Sequence, residues 1–177
     1  MAGLTAPRPL AADDDRQSFD CGRDSLNIWF RRHAWHNQQL DVSRVSVMCD
    51  AQSAAIAGFV SLSATNIERA FLPKARQRNQ PDPVPAILLG QLAVDRRYQG
   101  RGCARSLMFF ALTTAVRVSQ DLGCFCVLTH PLDDGVRAFY SGFGFETMPG
   151  DPDACMAVRL MDLMKNGFAP AGGAAPF

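Results

Sequence analysis

The sequence predicts an α/β fold in which a central, mixed and twisted β-sheet is flanked by helices. Three observations predict it. Apolar runs rich in β-branched and aromatic residues are interspersed with segments of helical periodicity. Their mixed order, without an internal repeat, favours a layered structure with some antiparallel pairing over an all-helical one. A chain of 177 residues is also long enough to bury one continuous core.

The elements follow in order. Residues 1–18 read as a flexible N-terminal lead-in or an edge segment, and residues 19–164 as the folded domain. DSLNIWFRRHAWHNQQL is the first helix, because Leu26, Trp29, Phe30, His33, Ala34 and Asn37 recur near helical spacing and Asp24 or Ser25 is available as a cap. SRVSVMCD and AAIAGFVSLSA are two strands joined by a polar turn at residues 50–53. A basic connection follows whose Pro81, Pro83 and Pro85 hold its end extended, since each fixes φ and lacks a donor. ILLGQLAV is the central strand. ARSLMFFALTTAVRVSQ is the main helix, with Leu107, Phe110, Ala111, Thr114, Ala115 and Val118 as its expected buried face. CFCVLTHP is a strand stopped by Pro131. In DDGVRAFYSGFGF a short helix is capped by Asp133 or Asp134 and released at Gly142 or Gly144. DACMAVRLMDL is expected to be the last strand, and residues 165–177 a flexible tail.

The formal charge is +1. Any contact with nucleic acid therefore depends on local clusters and not on overall basicity. Five of the six cysteines lie within or beside apolar segments without CxxC or His-rich ligand spacing, so they read as buried thiols and no metal is expected. The N-terminus lacks the pattern of a secretory signal and no stretch approaches the ~20 apolar residues that span a bilayer. A cytoplasmic protein with no membrane association is the expectation.

The chemistry concentrates at LAVDRRYQGRGCARSLMFFAL. Gly100 and Gly102 give a turn between strand and helix in which backbone N–H groups of residues 99–104 can surround a diphosphate without a metal. Arg96, Arg97 or Arg101 adds longer-range attraction. The same glycines also serve a plain turn and tight helix start. GxGxxG for dinucleotides and GxxxxGK for nucleotide phosphates are both missing from this junction.

With Gln99, Gly102 and Ala104 forming QxxGxA, and with this order of elements, the chain resembles the Gcn5-related N-acetyltransferase (GNAT) superfamily. VRAFYSGFGFE is similar to that superfamily's AxxFYxxxGF segment. FDCGRDSLNIWFRRHAWHNQ and LGQLAVDRRYQGRGCA resemble its tRNA-acetylating toxin branch, so that the likeness spans most of residues 19–160. The resemblance implies a GNAT fold and acetyl-CoA as cosubstrate. Its diphosphate would be bound by Arg97, Gln99, Gly100, Arg101, Gly102, Cys103 and Ala104, and its pantetheine arm by backbone near Leu92, Ala93 and Val94. Departures lie at Gln91, where many relatives carry Arg, at Cys103 in place of Leu or Val, and at THPLDD around His130.

By the same resemblance Tyr140 is the general acid for the departing thiolate. An unperturbed phenol, with a pKa of about 10, is protonated at neutral pH and so carries a proton for the departing thiolate, whose conjugate acid has a pKa of ~8.5; a buried ring with a satisfied hydroxyl is the alternative. His130 is the nearest other acid or base in sequence. No acyl-enzyme is implied. An α-amine, whose ordinary pKa is about 7.7–8.0 against ~10.4 for lysine, makes less demand on a base, and the toxin branch points to the amino acid of aminoacyl-tRNA. Arg31, Arg32, Lys74, Arg76, Arg78 and Arg96 are then candidates for tRNA phosphates. The branch implies a homodimer and a ribbon-helix-helix antitoxin. The alternatives are acetylation of a small amine or protein N-terminus, or a silent acyl-CoA-binding protein.

Overall fold

The structure, a computed structural model, describes residues 3–168. Its strands are β1 (Arg8–Pro9), β2 (Arg44–Cys49), β3 (Ile56–Ile67), β4 (Val84–Val94), β5 (Cys126–Thr129), β6 (Glu146–Thr147) and β7 (Met156–Arg159). Its helices are α1 (Asp24–Trp29), continued through a π-helical stretch (Phe30–Ala34) into α2 (Trp35–Gln39), then α3 (Lys74–Gln77), α4 (Cys103–Val118), α5 (Asp134–Ser141) and α6 (Leu160–Lys165). The strands run in the order β1-β2-β3-β4-β5-β7-β6. β4 and β5 are parallel, whereas β1 with β2, β2 with β3, β5 with β7 and β6 with β7 are antiparallel. This is the mixed α/β architecture expected from the sequence.

Two compact units share β3, β4 and α4 along the chain: Met1–Ser63 with Leu89–Ala111, and Ala64–Leu88 with Leu112–Phe177. The first is built on aromatics. Phe30 stacks on Phe59 with ring centroids 4.1 Å apart, and Phe19 meets both edge-on at 4.9 and 5.3 Å. Leu26, Phe30 and Ala34 supply the buried stripe of the helical stretch, as a spacing of four residues requires. The edge strand β1 joins this unit by pairing Arg8 with Val47 and Pro9 with Ser46. In the second unit Ile67, Leu72, Val84, Ala86, Cys126, Leu128, Met148, Cys155 and Ala157 pack together.

Several elements differ from the sequence expectation. The N-cap of α1 is Arg23 with no side-chain cap, and Asp24 lies inside the first turn. His33 faces solvent. The inner face of α4 is Leu107, Met108, Ala111, Leu112, Ala115 and Val116, all fully buried, in place of one that includes Phe110, Thr114 and Val118. Two adjacent stripes of the same helix are apolar, and packing selects the one that buries Met108 and Leu112. The expected last strand ends at Arg159, and RLMDL turns into α6, where Arg159 Nε pairs with Asp162 at 2.6 Å. Residues 169–177, most of the expected tail, lie outside the described residues.

Candidate functional site

The glycine junction begins from a buried carboxylate. Asp95, 2% exposed, directly follows β4 and caps the short 3-10 turn Arg96–Tyr98, accepting from the Arg97 amide at 2.9 Å. It also accepts from the Asp20 amide at 3.0 Å and from the Arg97 side chain through Nε at 2.8 Å and Nη2 at 2.9 Å. Burial alone would raise its pKa, but hydrogen bonds from Arg97 and from the Asp20 and Arg97 amides hold it below the usual carboxylate value. The Arg97 and Arg101 guanidinium carbons each lie 5.6 Å from the centre of the buried Tyr98 ring, in cation–π range. The Gln99 amide nitrogen donates to the Cys21 carbonyl at 3.1 Å and to the Val94 carbonyl at 3.0 Å, so the glutamine of QxxGxA fastens the turn to the N-terminal segment.

Beyond this anchor the backbone turns left-handed twice, at Gly100 (φ +74) and Gly102 (φ +80). A Cβ built at either meets no atom within 4 Å. The glycines are therefore required by backbone conformation, with open space where their side chains would stand; their turn directly precedes α4, whose early N–H groups have no partner within the helix. That arrangement fits a polyphosphate. Cys103, 2% exposed, begins α4. Its Sγ lies 4.0 Å from Met48 Sδ and 3.0 Å from where a Cβ on Gly58 would stand. The tight space explains the small residue at this departure from the family pattern.

Tyr140 is carried by α5. Asp133 accepts from the Val136 amide at 2.9 Å to cap that helix, and Gly144 at φ +87 turns the chain after it. The tyrosine is 6% exposed and packs against Phe139 and Phe145 with ring centroids 5.7 and 5.4 Å away. Burial pushes its pKa above the ordinary phenol value, partly offset by a hydrogen bond with the Thr129 hydroxyl. A phenol so placed stays protonated at neutral pH and has a proton to give. His130 is exposed.

The remaining candidates divide by their surroundings. Arg31 donates to the Phe19 carbonyl at 2.5 Å, Arg96 pairs with Asp20 at 3.6 Å and Arg76 with Glu146 at 2.9 Å. Arg32, Lys74 and Arg78 are exposed. Leu92 is half-buried, and Ala93 and Val94 are buried at the end of β4. All six cysteines are free thiols; burial pushes Cys103 up to about 11 and Cys126 up to about 12, values that keep them neutral and poor nucleophiles. Among the described residues no group of three or more His, Cys, Asp or Glu is placed to hold a metal, and no helix is long and apolar enough to cross a membrane. Sequence reading overlooked Asp95, Tyr98 and Thr129. Asp95 carried a usable signal, an acidic residue directly before a basic turn, where a cap is needed.

The sequence pattern of the acetyltransferase (GNAT) domain matches residues 42–147. A tRNA-acetylating toxin of Mycobacterium tuberculosis (strain ATCC 25618 / H37Rv) is 40% identical over 172 residues, 97% of this chain and 99% of its own length. The chain is a GNAT acetyltransferase of the tRNA-acetylating toxin branch. Among solved structures, AtaT complexed with acetyl-methionyl-tRNAfMet superposes on this GNAT enzyme with a TM-score of 0.85 at 27% identity, covering 93% of this chain and 99% of the other. AtaTR bound with AcCoA gives a TM-score of 0.81 at 27% identity over 94% and 99%. As a GNAT enzyme the protein is an acetyl-CoA-dependent acyltransferase.

Proposed function

We propose that this GNAT acetyltransferase transfers acetyl from acetyl-CoA to the α-amine of aminoacyl-tRNA and so acts as a translation-blocking toxin. The observation that carries the reading is the 40% identity maintained over 97% of the chain with a tRNA-acetylating toxin. A match of that extent spans the segments that carry the glycine turn and the tyrosine helix. In this reading the amides of residues 99–104, with Arg97 and Arg101, hold the diphosphate; backbone at Leu92, Ala93 and Val94 orients the pantetheine; and Tyr140 protonates the leaving sulfur. Acetylating the α-amine removes the nucleophile that peptide elongation needs.

The exposed cations Arg32, Lys74 and Arg78 are the side chains best able to meet tRNA phosphates, because they can do so without first breaking an intramolecular ion pair. Arg31, Arg76 and Arg96 contribute by local charge. The working form is a cytoplasmic homodimer restrained by a ribbon-helix-helix antitoxin, as the branch resemblance implies.

A cell-free translation reaction tests the reading. The protein with acetyl-CoA is expected to arrest synthesis. Omission of acetyl-CoA, or use of Tyr140→Phe, is expected to leave synthesis running. Arrest that persists without acetyl-CoA would contradict an acetyl-transfer mechanism.

A further inference from the structure

The hydroxyl that faces Tyr140 belongs to Thr129. Thr129 is the last residue of β5, is 2% exposed and pairs with Met156 of β7. The strand thus fixes its backbone, while its side chain meets the phenol of Tyr140, which arrives from α5. Both groups are shielded from water, since Tyr140 is 6% exposed and is flanked by Phe139 and Phe145. A phenol that gives up its proton in such surroundings becomes an anion that solvent cannot stabilise.

We propose that Thr129 is a positioning residue for the transfer step: its hydroxyl orients the Tyr140 hydroxyl and donates a hydrogen bond to the phenolate left behind. The inference rests on the reading of Tyr140 as general acid. In the step, the amine nitrogen bonds to the acetyl carbon while the carbon–sulfur bond breaks and its electron pair goes to sulfur. The sulfur takes the Tyr140 proton, leaving the phenolate. The proton lost by the amine nitrogen then returns to the phenolate by way of water, so the enzyme ends unchanged. The Thr129 hydrogen bond becomes charge-assisted only as the phenolate forms. It therefore stabilises the transition state more than the ground state, which is the condition for raising kcat without tightening substrate binding.

Two measurements test this. In the first, Thr129→Val, Thr129→Ser and Tyr140→Phe, alone and combined, are assayed with labelled acetyl-CoA and total charged tRNA, with thermal melting as the check on folding. Thr129→Val is expected to lower kcat roughly 10- to 100-fold, the range for losing a hydrogen bond to a charged group, with KM for acetyl-CoA unchanged. Thr129→Ser should recover most of the rate, and Thr129→Val should cost nothing further in the Tyr140→Phe background. A Thr129→Val rate equal to wild type while Tyr140→Phe is slow overturns this inference alone, as does an equal loss in both backgrounds. Wild-type speed in Tyr140→Phe overturns the general-acid reading itself.

The second measurement needs no acceptor. The chain has two tyrosines, so the ring Cζ carbons of 13C-labelled protein give two signals, assigned by Tyr140→Phe. The Tyr140 signal is expected to move in Thr129→Val and return in Thr129→Ser while Tyr98 stays fixed. An unmoved Tyr140 signal also overturns the inference.

Discussion

Substituting Gly102 separates the cost of bending the backbone from the cost of obstructing a ligand. At φ +80 an alanine pays the left-handed penalty, about 1–2 kcal/mol. Its methyl meets no protein atom within 4 Å, so the fold bears little else. For a chain of this size that lowers Tm by about 2–8 °C, which leaves the protein folded at assay temperature. If the diphosphate sits on the first α4 amides, a methyl on the residue directly before that helix crowds it. Losing even one amide–phosphate hydrogen bond, about 1.5–3 kcal/mol for a charged acceptor, weakens acetyl-CoA binding roughly 10- to 100-fold. Gly102→Val should exceed this, because a β-branched residue tolerates positive φ worst. Calorimetric titration of acetyl-CoA, with melting curves on the same samples, reads both quantities, and Arg78→Ala is the control. A folded Gly102→Ala that binds acetyl-CoA with wild-type affinity would refute the placement of the diphosphate at this turn.

Other outcomes follow from the same geometry. Gly58→Ala should destabilise by about 1–3 kcal/mol in a urea melt, because its Cβ would stand 2.9 Å from the Ala93 carbonyl oxygen and from Leu107 Cδ1; an unchanged midpoint would show that β3 and β4 move apart freely. Asp95→Asn should cost about 1–3 kcal/mol at neutral pH, with the smaller share from Arg97, whose exposed side is screened by water. Because the Asp95 carboxyl titrates below its ordinary value in the folded state, its contribution is complete above the unfolded pKa near 3.9 and fades as pH falls through the folded one. The stability gap between wild type and Asp95→Asn should therefore narrow below about pH 4, and a gap independent of pH would show that charge is not what Asp95 supplies.

Much of this architecture was legible in the residues, and the misses share a cause. Strands β2, β3, β4 and β5 announced themselves by runs of β-branched and aromatic residues, and the α5 cap by the Asp133–Asp134 pair before VRAFY, of which the structure uses Asp133. Helix α4 marks the limit of periodicity alone: its sequence carries more apolar residues than one face holds, and only the packing of Met108, Leu112 and Val116 against other elements decides the rotation. At α6 the apolar run MAVRLMDL gave no period to divide strand from helix, and the Arg159–Asp162 pair that fits the helical turn is visible only once the turn is known. In the site, Gly100 and Gly102 were readable because positive φ demands glycine. At Asp95 only the capping position was readable, because its further partner, the Asp20 amide, lies 75 residues away, and Thr129 gave no signal, because its partner is the phenol of Tyr140.

The central claim is the identity of the acceptor, and the most direct measurement is of the acetylated product itself. The protein is incubated with labelled acetyl-CoA and total charged tRNA, the RNA is digested to nucleosides, and the labelled species is identified by mass. The account predicts an aminoacyl-adenosine carrying acetyl on its α-amine. Label found instead on a polyamine or a protein N-terminus, with none on any charged tRNA, would contradict it.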